Sequence, residues 1–338
     1  MIFRILTMNR FVVIGLLILL SSITPATATA TASATAVKKV VIPPPVLVQS
    51  GLTTPLSIGS LVWSDEFLGR SGTLPDERFW SSNIGNYKTD SINIYSPSMS
   101  LLDGSKSGNV NISSNKINDP SLYHGLCGGG NFCQFISGEI TTRNLLTFKY
   151  GYIEARMKMP QGVGNWPALW LLPDGNYQPK VSTPGEIDVT EWYGNFPNKA
   201  WSTLHFPATV ISGGSETVTA ITAATSSANA LSDAFHVYGV AWLPSGISFF
   251  LDGKLIRTID SNSVATWPFD NFFYLILSTG VGPQPNTIFG GTWDGWQSST
   301  FSIDWIRDWK LNGYGEVVKK IVTPMTPDDM LKMLHPQK

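Results

Sequence analysis

The chain has 338 residues, 43% hydrophobic and 14% charged, with 31 Gly and 22 Pro. It is too apolar for a disordered chain, has no collagen-like period, and is long enough for one large core or two small ones. Lys and Arg number 23 against 24 Asp and Glu, a formal net charge of −1, so the basic footprint of a nucleic-acid binder is missing.

Arg4 and Arg10 flank the start of an apolar run, Phe11 to Leu20, and a small-residue tract with Ala-x-Ala sites follows to Ala36. This layout predicts a signal peptide over residues 1–30, hence a secreted, extracellular protein. The alternative is a membrane anchor, but the apolar run is shorter than the ~20 residues a span needs, and stable membrane insertion after cleavage is not expected. Residues 31–57, with Pro43-Pro44-Pro45, read as a linker. Further on, Cys127 and Cys133 flank Gly128-Gly129-Gly130. An exporting chain with this spacing is expected to close a disulfide there, two free thiols being the alternative.

From Leu61 onward the hydrophobic period is two. Ile153 to Met159 alternates apolar and polar residues, as a half-buried strand does. Ile247–Leu251, then Asp252-Gly253, then Lys254–Ile259 predicts a hairpin with a type I′ turn. Phe235–Trp242, Phe272–Leu277 and Phe301–Trp309 are further strand-like runs, and long amphipathic helical stretches are absent between residues 60 and 310. These features predict one all-β domain over residues 58–312, a sandwich or barrel. In the tail, 313–338, Thr326-Pro327-Asp328-Asp329 before Met330–Leu334 predicts a capped helix.

The chemistry-bearing segment is Gly185 to Gly194, which holds Glu186, Asp188 and Glu191 among β-branched and aromatic residues. On a strand, Glu186 and Asp188 share a face, whereas Glu191 would point the other way. One extra residue, a β-bulge between Asp188 and Glu191, restores it. Carboxylates in apolar company in a charge-poor chain are costly, which favours function over a solvated edge. With the bulge, the two glutamate Cα atoms lie about 13 Å apart at ~3.3 Å per residue. Inward-leaning side chains then leave a gap of ~5 Å, the separation a retaining glycosidase uses.

In order along the chain stand Leu61–Phe67, Ser137–Thr142, Phe148–Pro160, Asn165–Pro173, Gly185–Glu191, Phe235–Trp242, Trp267–Leu277 and Ile303–Arg307. With these segments the chain resembles glycoside hydrolase family 16, in its laminarinase-like, endo-β-1,3-glucanase branch. The resemblance covers about residues 60–312. It implies a β-jelly-roll sandwich of two curved antiparallel sheets with a concave substrate cleft, and a retaining mechanism. Carried onto this chain, Glu186 is the nucleophile, Glu191 the acid/base and Asp188 the assisting carboxylate. Trp166 and Trp170 match aromatic cleft residues, core packing being the alternative for Trp170. Trp192 and His205 fall near the active strand, His205 as a polar cleft contact or a structural histidine. The implied partner is a β-glucan polysaccharide met by a monomer, with no cofactor for catalysis. Relatives often hold a structural Ca²⁺ on the convex side; Asp304 matches the family's aspartate ligand and Glu66 is a second candidate.

The chain departs from the pattern after Leu277, where Ser278 to Asn286 replaces the usual Asn and Gly-Gly-x-Trp loop. That leaves open a different polysaccharide, transglycosylation, or a non-catalytic β-glucan-binding protein on the same fold. Non-catalytic relatives typically lose the glutamates, and both are present here.

Overall fold

Among the described residues between Ile58 and Leu311 the regular structure is strand, short 3₁₀ turns aside, as the alternation of apolar and polar residues predicts. The computed structural model describes residues 42–48, 50, 55–85, 91–123, 127, 133–175, 185–207, 218–264, 267–282 and 293–320. In chain order the strands are β1 (Ile58–Asp65), β2 (Ser81–Ser82), β3 (Asn93–Tyr95), β4 (Ser100–Leu102), β5 (Val110–Lys116) and β6 (Phe135–Ser137). Next come β7 (Glu139–Thr141), β8 (Leu146–Lys149), β9 (Gly151–Lys158), β10 (Asn165–Pro173), β11 (Glu186–Glu191), β12 (Lys199–Pro207) and β13 (Val218–Ser226). The last are β14 (His236–Leu243), β15 (Gly246–Leu251), β16 (Lys254–Asp260), β17 (Phe273–Val281), β18 (Ser298–Leu311) and β19 (Glu316–Lys319). Helical structure among the described residues is confined to short 3₁₀ turns. The predicted signal peptide and C-terminal helix lie outside the described residues.

The strands form two sheets. The first runs β16-β15-β14-β9-β18-β5-β6-β3, with β1 on β18 and β4 on β5. The second runs β13-β12-β11-β10-β17-β7-β2, with β8 joining β17 and β19 joining β8. Pairing is antiparallel except between β3 and β6. This is the expected β-jelly-roll sandwich. The Asp252-Gly253 turn joins β15 to β16 with both residues at positive φ, 50° and 72°, as a type I′ turn requires.

The core fills the space between the sheets, as alternation dictates. Ile153, Ala155 and Met157 of β9 meet Leu169 and Leu171 of β10 and Phe273, Leu275 and Leu277 of β17 in one cluster, all fully buried. Each of the larger side chains among them contributes about 2 kcal/mol through removal from water. A second cluster lies on the other face of the first sheet, where Tyr152, Phe250, Trp309 and Leu311 pack together. Ile42 and Leu47, from the stretch read as linker, pack against it.

Two buried acids sit in the first sheet. Glu154 accepts a 3.0 Å hydrogen bond from Trp309 Nε1. Burial pushes its carboxyl up to about 7. Asp308 is fully buried, and burial pushes its carboxyl well above the usual range. The expected disulfide is present between Cys127 and Cys133, with Cα atoms 5.1 Å apart.

Glu66 and Asp304, the metal candidates, lie in two separate ion pairs. Glu66 takes the Arg307 guanidinium through both oxygens, at 3.0 and 2.7 Å, and Asp304 is paired with Arg156. Ca²⁺ needs about six to eight oxygen ligands. With each carboxylate held by an arginine, this pair does not fit the ion.

Candidate active site

Strand β11 lies between β10 and β12 in the second sheet, and its outer face turns away from the core. Ile187 and Val189 point inward and are buried in the main cluster. Glu186 therefore faces outward, opposite His205 of β12, and Asp188 faces outward opposite Thr203. The next aligned pair is Glu191 with Trp201. Three steps on β11 thus oppose two on β12, which is the predicted one-residue bulge. Against β10 the same irregularity leaves Glu191 beside Ala168 and Asp188 beside Trp170. Ser202 Oγ holds the bulge by donating to the Val189 carbonyl at 2.8 Å.

The bulge gathers all three carboxylates on one face. Glu186 and Glu191 are half-buried, and Asp188 is buried. His205 and Trp201 stand four residues apart on β12, so the two glutamate backbones are about 13 Å apart. Asp188 Oδ2 lies 3.0 Å from His205 Nε2. His205 is thus tied to the middle carboxylate, with its side chain 31% exposed. Trp166 Nε1 donates to Glu191 Oε1 at 2.9 Å.

The tryptophans divide between faces. Trp166 is on the outer face, 8% exposed, and its ring tilts against Tyr193 at 6.3 Å. Trp170 is also on the outer face, where it packs with Ala168, Tyr274 and Ile276 and donates to Ser278 Oγ at 3.2 Å. Trp192 corrects the expectation of a cleft contact. It follows the outward Glu191, so it turns inward, is 1% exposed, and donates to the Pro197 carbonyl at 3.1 Å. It is a core residue.

Trp201 is a site residue that sequence reading missed. It lies directly opposite Glu191 and stacks at a tilt on Tyr193, 4.7 Å between centroids, and edge-on to Phe196 at 5.5 Å. Phe196 is 38% exposed. Simple alternation along β12 puts Trp201, Thr203 and His205 on one face, and that period was the available signal. The result is an aromatic shelf beside one glutamate. An apolar sugar face stacks well on such a shelf.

A family model for glycosyl hydrolases family 16 matches residues 99–307. The glucan endo-1,3-beta-glucosidase A1 of Niallia circulans is 28% identical over 74% of this chain, and the match spans 38% of that relative's length. The beta-glucanase of Rhodothermus marinus is 29% identical, over 70% of this chain and 78% of the relative. The solved laminarinase catalytic domain of Thermotoga maritima superposes with a TM-score of 0.60 at 28% identity, covering 74% of this chain and 98% of that domain.

Proposed function

Since this chain belongs to glycosyl hydrolase family 16, we propose that it is a secreted retaining endo-hydrolase of β-1,3-glucan, mixed-linkage glucan included. The observation that carries the reading is the bulge, which sets Glu186, Asp188 and Glu191 on one open face. The Glu186 carboxylate attacks the anomeric carbon while Glu191 gives its proton to the departing glycosidic oxygen. The carbon–oxygen bond breaks as the Glu186 ester forms. Water then attacks the same carbon, its proton passes to Glu191, and Glu186 leaves as carboxylate. The Trp166 N–H occupies Oε1 of Glu191, which leaves Oε2 to carry the proton. Asp188, held by His205, stands beside the nucleophile on the same face.

Neutral glucan fits the face better than a sulfated polymer. From Asn165 to Phe196 the only basic residue in the sequence is Lys180, whereas fixed anions need several cations. The test compares reducing-sugar release from laminarin, lichenan, agarose and carrageenan, with NMR of the first-formed anomer. Laminarin is expected to be cleaved fastest, giving the β-anomer. Faster release from carrageenan, an α-anomer, or binding of laminarin without release would overturn the reading.

A further inference from the structure

The outer face of the second sheet brings an imidazole and two carboxylates onto neighbouring rungs. Glu186 is directly opposite His205, and Asp188 sits one rung along, opposite Thr203. One ligand atom from each of Glu186, Asp188 and His205 lies within 4.8 Å of the others. Within the group, His205 Nε2 lies 3.0 Å from Asp188 Oδ2. We infer that these three side chains form a binding site for a divalent transition-metal ion of the Zn²⁺ class, which inhibits the enzyme by taking the nucleophile as a ligand.

The donor set selects the ion. One imidazole nitrogen and two carboxylate oxygens are a three-ligand protein set that leaves a fourth position for water on Zn²⁺. Bonds of about 2.0–2.2 Å put tetrahedral ligand atoms roughly 3.4 Å apart. The His205–Asp188 contact is already close to that spacing, and the Glu186 ligand atom lies within 4.8 Å of both. Ca²⁺ and Mg²⁺ are disfavoured, because both prefer all-oxygen shells. Antiparallel strands fix the three backbones, so little conformational entropy is lost on binding. The ion takes the place between Nε2 and Oδ2 and brings positive charge to two carboxyl groups in a segment poor in cations. Coordination draws electron density from the Glu186 carboxylate, and the ion with its water stands where the anomeric carbon must approach, so the nucleophile is weakened and screened.

Binding stands on the geometry alone; inhibition rests on the assignment of Glu186 as nucleophile. The experiment titrates the metal-free full chain with Zn²⁺ by calorimetry and with Co²⁺ by visible absorption, in parallel with laminarin hydrolysis. One ion per chain is expected, with a Co²⁺ spectrum of four-coordinate type. The inhibition constant for Zn²⁺ should match the binding constant, and a chelator should restore turnover. His205→Gln and Asp188→Asn should each weaken Zn²⁺ binding at least tenfold, with the melting transition measured to show that both variants fold. No binding to the wild type, or undiminished binding to folded His205→Gln, overturns the site. Binding as expected together with full turnover in Glu186→Gln overturns the nucleophile assignment and leaves the metal site standing.

Discussion

Glu186 and Glu191 differ in what their loss should do. Glu186→Gln removes the nucleophile and is expected to lower turnover of laminarin by about 10⁴-fold, with laminarin binding kept. Glu191→Gln should lower it by about 10²–10⁴-fold. An aryl glucoside with an acidic phenol leaving group needs no proton, so it should recover most of the first chemical step in Glu191→Gln and none in Glu186→Gln. Equal recovery in both would reverse or dissolve the two roles. Glu154 tests a different property. Its carboxyl has an ordinary value of 4.5 and sits at about 7 in the fold. Between those values the folded state holds the proton and the unfolded state has lost it, so stability falls as pH rises from about 4.5 to about 7 and then levels. Glu154→Gln keeps an acceptor for Trp309 and loses the slope. It should exceed the wild type by about 3 kcal/mol at pH 8 and match it near pH 4, by denaturant unfolding at both. A variant no more stable at pH 8 would show that Glu154 is not strained by burial. At this scale the acids were legible, because Glu186, Asp188 and Glu191 are carboxylates that a charge-poor apolar segment does not need. Glu154 was not, since an acid in an alternating strand reads as solvent-facing, and only the covering cluster with Tyr152 and Trp309 buries it.

The bulge in β11 is the element on which the site depends, and inserting one alanine after Thr190 tests it. With one residue more and the pairing of β12 unchanged, alternation turns Glu191 toward the core or draws Trp192 out of it. Burying an unpaired carboxylate or emptying the Trp192 cavity costs about 3 kcal/mol or more. The insertion variant should lose both that stability and at least ~10³-fold in turnover. A variant with near-normal turnover would show that the residue count of the bulge does not place the acid. The long strands were legible from their period. Ile153–Met159 became β9, and the two sides of Asp252-Gly253 became β15 and β16. The short strands β2, β3 and β4 were not, because two or three residues carry no period. Trp192 was misread for a related reason. It adjoins the active glutamate in sequence, but the residue after an outward side chain on a strand points inward.

The whole molecule adds a local brace and a global constraint. The Cys127–Cys133 bond closes a short loop and should contribute about 2 kcal/mol by the chain-entropy relation. Replacing both cysteines with serine should lower the melting temperature by about 2–4 °C and leave turnover on laminarin nearly intact. Loss of activity without loss of stability would place that loop in the cleft. Two-sheet packing was legible in the sequence, whereas the strand order was not, because it depends on partners far apart in the chain. The extreme case is β18, which pairs with β9, β5 and β1. It joins Ile58 to Leu311 across almost the entire domain. Of the strands of its sheet, β18 is the last in chain order, yet it occupies the middle. Until it emerges, β9 and β5 expose bare hydrogen-bonding edges that are open to any other extended chain. A transcript cut before Ser298 therefore encodes an aggregation-prone fragment rather than a smaller enzyme. The first sheet can close only once every one of its other strands has already been made.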